Sequence, residues 1–158
     1  MMSLAKTVFQ SPIHITAFGF GSGLAPFAPG TFGTLAAIPF YLILSLFPLW
    51  FYFAVIVIAA LVGIWVCGES AKKLGVHDHS GIVWDEFVGF WITMFAAPSG
   101  LIWILVGFVL FRIFDIWKPW PIYIVDDKVQ GGLGIMLDDI IAGVYALIVM
   151  QILAFLLV

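Results

Sequence analysis

The chain has 158 residues, of which 64% are hydrophobic and 9% charged, with a formal net charge of −3. A soluble domain carries roughly a quarter charged residues, so water is not this chain's main solvent. Cys67 is the only cysteine, which excludes an internal disulfide and a multi-cysteine zinc site, and the lack of any basic stripe excludes a nucleic-acid partner.

Residues 1–18 carry Lys6, but Gln10, Ser11, Pro12 and His14 interrupt them before an apolar stretch of signal-peptide length forms, so no cleaved leader is expected. A run of small residues, Gly19, Gly21, Ser22 and Gly23, suits close helix packing. It leads into Ala25-Pro26-Phe27-Ala28-Pro29-Gly30-Thr31-Phe32-Gly33-Thr34, which reads as the start of a helix. Free amides and the dipole at such an end attract phosphate oxygens, to which Gly30, Thr31 and Thr34 would contribute. The plainer alternative is an entry loop with Thr31 as N-cap.

Apolar runs then occupy 34–47 and 49–67, with Pro48 as the turn between them. Residues 49–66 are apolar almost throughout and lack the alternation of a barrel strand, so the fold class is all-α, an integral membrane helical bundle. Cys67 ends this run and reads as packing.

All nine acidic residues fall in two windows, Glu69, Asp78, Asp85 and Glu86, then Asp115, Asp126, Asp127, Asp138 and Asp139. Lys72, Lys73, Arg112, Lys118 and Lys128 share these segments. The 87–111 run separates the windows and contains Pro98-Ser99-Gly100 at its middle. As one span it would hold the windows about 30 Å apart. Proline lacks the amide donor and glycine permits a turn, so a helical hairpin with arms at about 81–97 and 101–118 is the better reading. With a last run at 140–158, the bundle has about four to five membrane-embedded helices in a single domain over residues 1–158. The basic residues then share one side, the cytoplasmic one by the positive-inside rule. The aromatic residues, including Trp50, Trp84, Trp91, Trp103, Trp117 and Trp120, read as belts at the bilayer boundaries.

Three further segments carry candidate chemistry. Asp85 and Glu86 open an apolar run, where adjacent acids repel each other unless a cation such as Mg²⁺ neutralises them; the alternative is a solvated helix start favoured by the dipole. Arg112, Asp115 and Lys118 recur every three positions on one helical face, as a phosphate grip or as an intrahelical salt-bridge stripe ended by Pro119. Gly131-Gly132-Leu133-Gly134-Ile135-Met136-Leu137 reads as a flexible loop before a second doublet, Asp138 and Asp139, with Asp138 the alternative N-cap of the last helix. Two doublets and a basic pair on one side point to a metal and phosphate site. His14, His77 and His79 have no metal-ligand spacing. A small cation transporter or channel is the rival reading of the same acids.

Taken together, Pro26, Ala28-Pro29-Gly30-Thr31, Gly33-Thr34, Asp85-Glu86, Gly89, Phe111-Arg112, Phe114-Asp115, Lys118-Pro119, Pro121, Gly131-Gly132, Gly134, Met136, Asp138-Asp139 and Gly143 resemble the phosphatidylglycerophosphatase A family over residues 19–143. The chain departs from the family pattern at His79, where the family has proline. The resemblance implies Mg²⁺-dependent hydrolysis of the terminal phosphate of phosphatidylglycerophosphate, in the bacterial inner membrane and from the cytoplasmic leaflet. On this reading Asp85, Glu86, Asp115, Asp138 and Asp139 hold the metal and Arg112 and Lys118 bind phosphate. Direct water attack and an aspartyl-phosphate intermediate stay open, as does the oligomeric state.

Overall fold

A computed structural model describes residues 3–158. Among them there is no strand; eight α-helices and one 3₁₀ segment make up the fold. The chain begins with two short helices, α1 (Leu4–Phe9) and α2 (Pro12–Ala17), followed by the 3₁₀ segment Gly19–Leu24. Ser3 caps α1 through the Lys6 amide, and Pro12 opens α2 at the position where a missing N–H costs nothing.

Helix α3 (Pro29–Leu44) leads away from this cluster, and α4 (Leu49–Leu74) returns after Pro48. Helix α4 runs two turns past the expected limit at residue 67 and stops at Gly75, which takes the left-handed conformation that ends helices. The hairpin is present as α5 (Trp84–Thr93) and α6 (Leu101–Trp117). Its first arm is shorter than expected at both ends. The Val83 amide donates to the Ala17 carbonyl (2.8 Å), which draws the preceding residues onto α2, while Ala96 and Gly100 turn the chain at positive φ. The amide of Gln151 donates to the carbonyls of Phe95 (3.0 Å) and Ala96 (3.3 Å). Carbonyls freed where the chain breaks between two helices need such partners wherever water cannot reach them.

Helix α7 (Ile122–Lys128) is short, and α8 (Gly131–Leu157) is the central element, packed against α4, α5, α6 and α7. Residues 131–139 are therefore helix and not the expected loop, and Asp138 lies two turns inside α8 rather than at its N-cap. The reason is packing: a Cβ at Gly132 would stand 2.8 Å from the Gly68 amide nitrogen, and one at Gly143 2.5 Å from the Gly89 carbonyl. Glycine serves here to bring backbones together, as small residues do between membrane helices.

Helices α4 and α8 are each long and apolar enough to cross a membrane. Their outward residues, among them Ile58, Leu61, Trp65, Ile148 and Ile152, are exposed, a surface suited to hydrocarbon. The tryptophans divide. Trp50, Trp117 and Trp120 are exposed as belt residues would be, but Trp84, Trp91 and Trp103 are buried in the bundle. Two of these pin helices together: the Trp84 indole donates to the Ala59 carbonyl (3.0 Å) and that of Trp91 to Ala37 (3.1 Å). A buried indole N–H needs an acceptor, and a neighbouring helix supplies it.

Candidate active site

Four elements converge on one cavity of about 300 Å³. The first turn of α5 contributes Asp85 and Glu86, and the last turns of α6 contribute Arg112 and Asp115. Lys118 follows as the C-cap of α6 in the left-handed conformation, which turns it back towards α8, where Asp138 and Asp139 stand. Ala28, Pro29 and Gly30 bring the N-terminus of α3 to the same wall. The hairpin accounts for this meeting, since it returns Arg112 and Asp115 to the end of the bundle where Asp85 and Glu86 enter.

The charges fall into three groups. Arg112 Nη1 pairs with Asp115 and lies 3.9 Å from Glu86 Oε1. Lys118 Nζ bridges Asp126 Oδ1 (2.7 Å) and Asp138 Oδ2 (2.9 Å). Burial alone would favour neutral Lys118, but the hydrogen bonds to Asp126 and Asp138 outweigh it and hold the ammonium above its ordinary pKa. The third group, Asp85, Glu86 and Asp139, has no basic partner close enough to pair with all three, and each offers an oxygen within 4.8 Å of the others.

Residues that line the cavity also carry buried atoms without a partner. Asp85 Oδ1, Glu86 Oε2, Asp139 Oδ2 and Arg112 Nε are buried without a hydrogen bond. Buried carboxylate oxygens and a guanidinium N–H left in this way are costly unless a ligand satisfies them. The donor set fits a hard divalent cation, which takes carboxylate oxygens, and the free guanidinium edge fits an anion.

All seven charged residues expected at the site line this cavity, as does Gly30. Thr31 and Thr34 do not line it: Thr34 is fully buried and donates its hydroxyl back to the Gly30 carbonyl (2.9 Å), a bond within its own helix. Asp78 and Ser80, from the loop before α5, also line the cavity, although within their segment only Asp85 and Glu86 were expected to act there. Asp78 belongs to the first acidic window, a signal that was available; Ser80 has no comparable one. Asp126, the second partner of Lys118, was likewise visible only as part of an acidic window.

An all-helical bundle with an apolar outer surface and a pocket of carboxylates, guanidinium and ammonium has the groups that a membrane-associated phosphatase needs. Its family is phosphatidylglycerophosphatase A: the model of that family matches residues 15–154, and the chain belongs to it. A phosphatidylglycerophosphatase A of Escherichia coli (strain K12) is 50% identical over 141 residues, covering 89% of this chain and 82% of that protein. The Haemophilus influenzae (strain Rd) protein of the same name is 47% identical over 148 residues, covering 92% and 91%. No solved structure matches the chain.

Proposed function

We propose that the protein hydrolyses the terminal phosphate of phosphatidylglycerophosphate to give phosphatidylglycerol, in the bacterial inner membrane, at a site facing the cytoplasm. The observation that carries this reading is the trio of buried, unpartnered carboxylate oxygens on Asp85, Glu86 and Asp139 beside the free Nε of Arg112. Together they match a metal-bound phosphomonoester better than any apolar or neutral ligand.

Asp85, Glu86 and Asp139 are the residues to hold Mg²⁺, which supplies neutralisation of the carboxylates and polarisation of a phosphoryl oxygen when bound. Arg112 binds the equatorial oxygens through its free edge, while Asp115 fixes the guanidinium from the other side. Lys118 adds a second positive charge, positioned by Asp126 and Asp138. At the N-terminus of α3 the Gly30 amide alone is left to donate to the same oxygens, since Pro29 has no N–H and the Thr31 and Phe32 amides donate to the Ala28 carbonyl. Water attacks phosphorus in line with the glycerol oxygen, one carboxylate of the cluster takes its proton, the bond from phosphorus to that oxygen breaks, and the proton passes to the leaving oxygen to give the glycerol hydroxyl. Positioning and electrostatics carry the step, as they do in phosphoryl transfer generally.

Five helices are embedded in this reading: α3, α4, the two arms of the hairpin, and α8. Lys72, Lys73, Arg112, Lys118 and Lys128 lie at the end of the bundle that holds the site, which the positive-inside rule assigns to the cytoplasm. Nothing favours the cation-transporter reading, and both relatives are named as phosphatases.

The test is phosphate release from phosphatidylglycerophosphate by detergent-purified protein with Mg²⁺ or EDTA. Release that needs Mg²⁺ and falls at least about 100-fold in Asp85→Asn is expected. No release from folded wild type with lipid and Mg²⁺ present would reject the substrate, and full activity in EDTA would reject the metal. Rapid-quench trapping of phosphate on an aspartate would replace direct water attack by a covalent route.

A further inference from the structure

We propose that a groove on the lipid-facing side of α6, formed by Phe108, Val109, Ile113, Ile116 and Trp117, holds one acyl chain of the substrate while its phosphate lies against Arg112. This rests on the reading of the protein as a lipid phosphatase and adds to it the place where the lipid's tail is held.

The groove is shallow and open, and its lining, those five apolar side chains and Arg112, comes from one face of α6 alone. Arg112 and Ile116 also line the carboxylate cavity, so the apolar and polar spaces share a wall. A molecule occupying both must be apolar at one end and anionic at the other. From Phe108 to Trp117 the groove runs about 14 Å along the helix, at 1.5 Å per residue. Ile116 and Trp117, at the end nearest Lys118, are 69% and 72% exposed and leave the junction open to the side. A lipid can therefore reach the site laterally without leaving the hydrocarbon.

The groove does not act by adding hydrophobic affinity, because an acyl chain in the bilayer is already surrounded by hydrocarbon. Its effect is orientation: a chain laid along α6 fixes the glycerol end relative to Arg112 and sets phosphorus in line for attack. Lipids whose chains stop partway along the groove lose most of this benefit.

The experiment compares two phosphatidylglycerophosphates, dioleoyl and dihexanoyl, in mixed micelles. Release from neither by wild type removes the phosphatase reading and the groove's role with it. Val109→Trp and Ile113→Trp fill the groove from positions 53% and 47% exposed, outside the packed core. Expected is a fall of about tenfold in kcat/KM for the dioleoyl lipid with the dihexanoyl value kept within about twofold. Equal losses for both lipids, or no loss for either, overturn the proposal while leaving the phosphatase reading intact. A second measurement needs no variant: a lipid with a diazirine midway along one chain is photolysed with wild type. Labelling within residues 108–117 is expected with a phosphomonoester headgroup and not with a choline headgroup. Equal labelling with both headgroups, or labelling elsewhere, assigns the groove to bulk lipid and overturns it.

Discussion

Arg112 is the residue on which the polar cavity and the apolar groove meet, and its geometry sets what a substitution should do. Nη1 serves Asp115 and Glu86, and the buried Nε is free. A lysine would keep the charge but not the planar fork, so it could not hold Asp115 and at the same time present a rigid second edge to a phosphate. Arg112→Lys should lower kcat/KM about 100-fold with the protein still folded, measured by phosphate release; a change below threefold would make Arg112 a counter-ion only. The identity of these residues was legible in the sequence, since ionisable groups in so apolar a chain are expensive and seldom incidental. Their pairing was not. Asp138 and Asp139 are neighbours in sequence but about 100° apart around a helix, so Asp138 meets Lys118 while Asp139 joins Asp85 and Glu86. Thr34 shows the opposite case, a residue of suitable chemistry whose hydroxyl is spent inside its own helix.

At the level of the elements, α5 and α8 are held together by backbone contact. A Cβ at Gly143 would lie 2.5 Å from the Gly89 carbonyl, and one at Gly89 would lie 2.9 Å from the Asp139 carbonyl. Gly143→Ala should therefore push α8 away from α5, costing about 1–3 kcal/mol of stability, measured by unfolding in mixed micelles. Activity should fall with it, because the same contact sets Asp139 against Asp85 and Glu86; unchanged stability and activity would mean the two helices yield freely. The hairpin was legible because Pro98 and Gly100 interrupt an otherwise continuous apolar run. The start of α8 was not. Glycines at 131, 132 and 134 suggest a loop when only local conformational freedom is weighed; Gly131 does use that freedom, at positive φ, whereas Gly132 and Gly134 serve close contact with α4 and with the turn before α8.

For the molecule as a whole, the N-terminal helices are tied to the end of α4 that lies nearest the site. His14 is buried and shares a hydrogen bond with Ser70 (2.8 Å), and burial together with Lys73 lowers its pKa below the usual value near 6.5. The neutral ring is thus the folded form. The unfolded chain takes up the proton more readily, so stability is complete above about pH 6.5 and declines as pH falls below it. Thermal melts between pH 8 and 5 should show this decline in wild type and a shallower one in His14→Asn; parallel profiles would remove His14 as the cause. Orientation is tested separately. In Lys128→Cys, a membrane-impermeant maleimide should label the exposed new thiol only after the cytoplasmic side is opened, with buried Cys67 unlabelled. Labelling of intact cells would place the site on the other face.

The sequence by itself determined the solvent, the all-helical class, the reversal near residue 98 and the set of charged residues available for chemistry. Each follows from free energies that depend on residue type and order along the chain: transferring apolar runs into hydrocarbon, exposing unpaired backbone, and placing charge beside apolar surface. Only the tertiary structure decided which carboxylate meets which base, that Trp84 and Trp91 act as pins inside the bundle, and that the Gly131 segment is helix. Those outcomes depend on how each helix is rotated and how closely two backbones approach. Both are set by packing between segments far apart in the chain.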